Sequence, residues 1–292
     1  MFEELKTLQE YLEKDIHSIK QESENGTLLN AEEISNISKM IHHEITTYAL
    51  ARKETSSEKA LKQATDSILL HINLLVTHAS GTANSIGKAL KLHLLESALN
   101  LVNSLQAFEN EGDIDIMTGE VWEKCLVFQQ LPSSNSLYVF DLLSQVIELL
   151  DDAAAEANDI IDGELPELDG LSLEESKPTD KDKEFIKNSQ VLVKTSILVL
   201  KKAKAVLKSK DEEYILRADN ILDLANKFSE KADDLISSLY LPIDYEDELI
   251  FESINGLESH CIELLDILSQ ENSEWVQMCR AQLGKVKSKL EK

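Results

Sequence analysis

The sequence predicts an all-α protein of two antiparallel helical bundles joined by an acidic flexible linker, and three observations carry that prediction. Apolar residues recur at i, i+3, i+4 and i+7 through most of the chain. Aromatic residues make up only 5% of it, too few for strands that pack a pleated face onto a core. All four prolines, Pro132, Pro166, Pro178 and Pro242, fall between periodic stretches, where a missing N–H breaks no helical hydrogen bond.

The first stripe runs through Phe2, Leu5, Leu8, Leu12, Ile16 and Ile19 and ends near Asn25-Gly26. Asn30 as N-cap and Glu33 three residues on form a capping box, after which Ile34, Ile37, Ile41 and Ile45 continue a second helix. A third starts at Ser56 or Ser57 and follows Leu61, Ala64, Ile68, Ile72 and Leu75 to Gly81; a fourth spans about Thr82 to Glu109. The stretch NEGDIDIM, 110–117, reads as a loop. Thr118 then caps a short helix carrying Val121, Trp122, Cys125, Leu126 and Phe128, which Pro132 stops. Trp122 is the expected core anchor of that short helix, because an isolated helix of a few turns is marginal in water. Ser133 or Ser134 caps the next, long helix, through Leu143 and Leu150 to about Ile161, and residues 1–161 make the first bundle.

From Asp151 to Glu184 there are 13 acidic and 3 basic residues, with Gly163, Pro166, Gly170 and Pro178 among them. Residues 162–182 hold too little apolar surface to offset the entropy of ordering them, and read as a disordered linker. The second bundle spans 183–292. Its opening stretch contains VLV and ILVL, which read equally as buried strands; the length, the absence of Gly and Pro and the KKAKAVLK continuation decide for helix. Tyr214, Ala218, Ile221, Ala225, Phe228, Ala232, Leu235 and Leu239 follow a 4,3 spacing that suits antiparallel packing. Two further helices centre on Leu249–Leu268 and Glu274–Leu290.

With 54 acidic against 29 basic residues the formal charge is -25, which repels phosphate backbones and anionic lipid, so neither direct nucleic-acid binding nor membrane binding is expected. The acidic N-terminus and the short apolar run SILLHINLLV give no targeting or spanning segment. Three cysteines, Cys125, Cys261 and Cys279, with no CxxC spacing indicate a reducing compartment. In GTANSIGKA the glycines stand one residue too far apart for a phosphate loop, and Ala89 replaces the hydroxyl that would hold magnesium. No ExxH or HExxH occurs among the seven histidines, so neither a metal site nor any other cofactor is expected, and no nucleophile has a local signature. The chain reads as a non-enzyme.

Two features point to contacts with other groups. Lys201, Lys204 and Lys208 line one helix face, ordinarily a solvated one, and more sharply a docking strip for an acidic segment such as the linker. Ser172 and Thr179, each followed by acidic residues, fit acid-directed phosphorylation in an exposed segment.

A short helix with Val121, Trp122 and Cys125, a loop with Leu131, Pro132 and Asn135, a long helix, an acidic linker, then Ser238-Leu239-Tyr240-Leu241-Pro242 and Ser273-Glu274-Trp275-Val276 resemble the cyclin-D-binding protein family, also called GCIP. That resemblance implies a two-domain helical regulator with bundles like those of vinculin, catenin and talin. It implies D-type cyclins and helix-loop-helix factors as partners, negative regulation of cell-cycle progression or transcription, and residence in nucleus and cytoplasm. Bundle architecture alone supports a second reading, a cytoskeletal adaptor of the vinculin and talin type.

Overall fold

A computed structural model of the chain describes residues 2–19, 29–53, 58–82, 86–109, 114–163, 177–208, 213–268 and 273–290. Among them are ten α-helices and no strand: α1 Phe2–Ser18, α2 Ala31–Lys53, α3 Glu58–Gly81, α4 Lys88–Glu109, α5 Ile114–Gln129, α6 Asn135–Asp162, α7 Asp180–Leu207, α8 Glu213–Ser237, α9 Glu248–Leu268 and α10 Ser273–Leu290. The chain divides into two compact units, Met1–Tyr138 and Val139–Lys292.

In the first unit α2 packs against α3 and α5, α4 packs against α5, and α1 lies on α3 and α4. The stripes seen in the sequence supply its core: Leu5 and Leu12, Ile34 to Ile45, Ile68 to Val76, Leu94 to Phe108, and Val121, Cys125 and Phe128. The expected capping box is present, with the Glu33 amide donating to Asn30 Oδ1 at 3.1 Å and Asn30 Nδ2 donating to Glu33 Oε2 at 2.8 Å. Ser38 of α2 donates from its buried hydroxyl to the Cys125 carbonyl of α5 at 2.6 Å, which fixes the level of the two helices against each other.

Two helix starts differ from the expected ones. α4 begins at Lys88 rather than near Thr82, because Gly87 adopts φ +102° and the buried Asn135 side chain reaches the first turn of α4. Asn135 Oδ1 accepts the Leu90 N–H at 2.9 Å, so a residue far along the chain caps this helix. α5 begins at Ile114, four residues before the expected cap; Ile114 and Met117 pack against the core, and the Thr118 hydroxyl turns back onto the Ile114 carbonyl from inside the helix. Apolar contact at the start of α5 therefore outweighs the capping preference of a threonine in its second turn.

In the second unit α7 packs against α8, α9 and α10. Its continuous apolar run is thereby explained: fourteen of its residues are buried, on all sides but one. α6, expected with the first bundle, groups with this second unit from Val139 onward. Polar side chains of that unit reach α6. Gln190 Nε2 donates to the Ala154 carbonyl at 2.6 Å and to Asn158 Oδ1 at 2.8 Å, and the Tyr240 hydroxyl binds Glu156. Of the expected linker, 164–176 lie outside the described residues, whereas Asp180–Asp182 form the first turn of α7.

Candidate interaction surface

The buried chemistry of the described residues is quiet. Burial pushes the Cys125 and Cys261 thiols up to about 12, so both stay protonated at neutral pH and are poor nucleophiles, and it raises Cys279 as well. Among the described residues no three His, Cys, Asp or Glu side chains converge as metal ligands would. An open depression of about 380 Å³ is lined by Arg217, Asn220, Asp266 and Ile267. His78 Nε2 of α3 lies 3.4 Å from Glu33 Oε1 of α2.

The lysines singled out in the sequence meet α6. Lys201 Nζ lies 3.2 Å from Asp151, Lys204 Nζ donates to Ser144 Oγ at 2.6 Å, and the Lys204 and Lys208 ammonium groups stand 4.4 and 5.1 Å from the centre of the Phe140 ring. Such cations over an aromatic face gain quadrupole attraction while their alkyl stems cover apolar surface. The face expected to be open for an acidic segment is thus partly occupied by an acidic helix of the same unit.

Lys201 and Lys208 also belong to a longer row, which extends the stripe expected from the sequence to Lys187, Lys194 and Leu198. Lys187, Lys194, Leu198, Lys201, Ala205 and Lys208 are exposed, and with the half-buried Val191 they are spaced by alternating threes and fours along one face. From Phe185 to Lys208 there are six lysines and no acidic residue, in a chain whose net charge is -25. Lys187 and Lys194 form no ion pair among the described residues, and Leu198 is 59% exposed between cations. The same count along α6 finds Asp141, Gln145, Glu148, Asp152, Ala155, Asp159 and Asp162, all exposed. The 4,3 spacing was legible in the sequence, but only the structure shows that Lys187, Lys194 and Leu198 of α7 and the acidic row of α6 stay exposed while other faces bury Leu143, Leu150 and Ala157 on α6 and Ile186, Val193 and Leu200 on α7.

Thr179 is the N-cap of α7, exposed and extended (φ -70°, ψ 168°). Its hydroxyl accepts from the Asp182 amide at 3.2 Å and donates to Asp182 Oδ2 at 2.7 Å, while its own N–H donates to the same oxygen at 2.7 Å. The Tyr245 hydroxyl, from the α8–α9 connection, holds the other Asp182 oxygen; Lys181 Nζ sits 3.6 Å from the centre of the Tyr245 ring and Phe185 meets it edge-on at 5.3 Å. Ser172 lies outside the described residues.

Trp122 is half-buried, at the rim of the core instead of its centre, and stacks on His42 with ring centroids 4.9 Å apart. Cys125 and Phe128 hold the buried positions expected of it. Pro132 is half-buried in the turn between α5 and α6, and Trp275 is half-buried on α10.

Comparison with known proteins finds two matching family models: "Grap2 and cyclin-D-interacting, N-terminal" over residues 33–163 and "Grap2 and cyclin-D-interacting, C-terminal" over residues 143–266. They share the body of α6. A zebrafish (Danio rerio) protein named cyclin-D1-binding protein 1 homolog is 26% identical over 196 residues, 60% of this chain and 56% of the relative. A Xenopus laevis protein of the same name is 28% identical over 143 residues, 44% of this chain and 43% of the relative. Bovine (Bos taurus) cyclin-D1-binding protein 1 is 22% identical over 186 residues, 56% of this chain and 52% of the relative. The matched stretches span about half the length of these curated relatives.

Proposed function

The chain belongs to the Grap2 and cyclin-D-interacting family, and from that premise we propose that it is a non-enzymatic regulator that binds D-type cyclins and helix-loop-helix factors through its helix faces. Binding of these partners would restrain cell-cycle progression or transcription, in nucleus and cytoplasm. The observation that carries the reading is the pair of family matches, together covering residues 33–266, with relatives named for binding cyclin D1. Two features of the molecule support it. The Cys125 and Cys261 thiols are held protonated by burial, and α6 and α7 carry exposed rows each of one charge sign, which suit recognition of another folded surface. The charge of -25 opposes direct contact with DNA, so an effect on transcription would pass through a protein partner.

Affinity capture from dividing cells with the tagged full chain, followed by mass spectrometry, tests the proposal. Enrichment of a D-type cyclin or a helix-loop-helix factor is the expected result. Enrichment of actin-linked proteins without either would overturn it.

A further inference from the structure

The strip formed by α6 and α7 has an acidic row beside a basic one, and its geometry goes beyond the partner binding proposed above. The contacts along the pair run antiparallel: Gln190 is level with residues 154–158, and Lys204 with residues 140–144. Lys187 therefore stands level with Asp159, Lys194 with Asp152, and Leu198 with Glu148. Stepping round each helix at about 100° per residue from these contacts puts both rows on the same side, away from the core. The result is one two-helix face with Asp141, Glu148, Asp152 and Asp159 along one edge and Lys187, Lys194, Lys201 and Lys208 along the other.

We infer that this face pairs with its own copy, two chains meeting across a two-fold axis parallel to α6 and α7 so that the acidic row of each lies over the lysine row of the other. A two-fold interface must be self-complementary, and adjacent rows of opposite sign at matching levels satisfy that condition without any shift along the helix. Asp159 meets Lys187 and Asp152 meets Lys194, each twice, while the exposed Leu198 of each chain is covered. Between Lys187 and Lys208 the strip is roughly 30 Å long and 20 Å wide, from the helical rise and interaxial spacing. That is about 1,200 Å² over both copies, the lower edge of specific interfaces, so the dimer is reversible and concentration-dependent. Two chains of charge -25 repel each other at long range; at physiological ionic strength, with a Debye length of about 8 Å, that repulsion is screened while contacts across the interface survive.

The test is sedimentation equilibrium of the full chain at near-physiological salt, with the exposed-site variants Lys194→Glu and Asp152→Lys alone and mixed in equal amounts. The wild-type mass should rise with concentration toward twice that of the monomer. Each variant alone should remain monomeric with unchanged helicity, because its own pairs become like-charged. The mixture should regain the dimer, because the carboxylate introduced at position 194 of one chain then meets the ammonium introduced at position 152 of the other. Wild-type protein that stays monomeric throughout would overturn the proposal and leave the lysine row to an acidic helix of another protein. So would variants that dimerise as wild type does, or a mixture that is not rescued.

Discussion

Asn135 and Gly87 show how much one residue pair contributes to joining distant stretches. A Cβ at Gly87 would lie 2.1 to 2.5 Å from three atoms of the Asn135 side chain, and its φ of +102° disfavours any other residue. Gly87→Ala is predicted to destabilise by at least ~2 kcal/mol, and Asn135→Ala by about 1 to 3 kcal/mol for the unsatisfied Leu90 N–H. The two losses should be less than additive, since Asn135→Ala removes the two nearest clashing atoms while its Cβ, 2.5 Å away, and the φ strain at position 87 remain; chemical unfolding of both singles and the double variant measures it. Asp182 gives a pH prediction. Burial raises its pKa, but the Tyr245 and Thr179 hydroxyls, the Thr179 N–H and Lys181 together hold it below the ordinary carboxylate value. A carboxylate depressed in the folded state adds stability that is present above its unfolded pKa and is lost as pH falls through the folded one, so this contact persists at neutral pH and opens only in acid. Tyr245, raised to about 12 by burial and by its bond to Asp182, remains a donor throughout. Tyr245→Phe should move the Asp182 carboxyl titration upward in side-chain NMR; an unmoved titration would show that the hydroxyl does not hold it.

At the level of elements, the sequence revealed what depends on local chemistry and missed what depends on distant partners. The Asn30–Glu33 box and the stripes of α1 to α3 were readable because cap and periodicity are properties of a short window. α7 was readable by its length, its lack of Gly and Pro and its KKAKAVLK continuation, since burial on all sides but one leaves only a narrow polar face. The starts of α4 and α5 were not readable: one is set by Asn135 reaching back to Leu90, the other by Ile114 finding the core, and neither leaves a local mark. α7 also starts earlier than the acidic composition suggested, because Thr179 and Asp182 cap it. Thr179→Ala should cost about 1 kcal/mol and speed amide exchange in the first turn of α7. Phosphorylation there would replace a hydroxyl that donates to Asp182 with about 1.5 to 2 negative charges, and should separate Asp182 from Tyr245. Exchange over 180–186 that is identical with and without stoichiometric phosphate would show no such coupling.

For the whole molecule, the all-helical class was legible from periodicity, proline placement and scarce aromatics, whereas the division of the chain was not. α6 is amphipathic enough to serve either unit, and from Val139 it groups with the second, where Ala154, Asn158 and Glu156 pair with Gln190 and Tyr240. The lysine stripe was legible as a stripe, whereas its contacts with Asp151, Ser144 and Phe140 of α6 were not, because an acidic row of a folded helix is visible only once its apolar face has a place to go. What the molecule then offers is a set of charged helical surfaces and buried, protonated thiols, in a family named for interaction with cyclin D. The central claim is that this chain binds such a cyclin directly. Isothermal titration of the purified full chain with a purified D-type cyclin is the most direct test: a saturable one-to-one heat with a dissociation constant in the micromolar range or tighter, about -8 kcal/mol or beyond, is predicted. No heat and no co-elution at concentrations well above that range would contradict it.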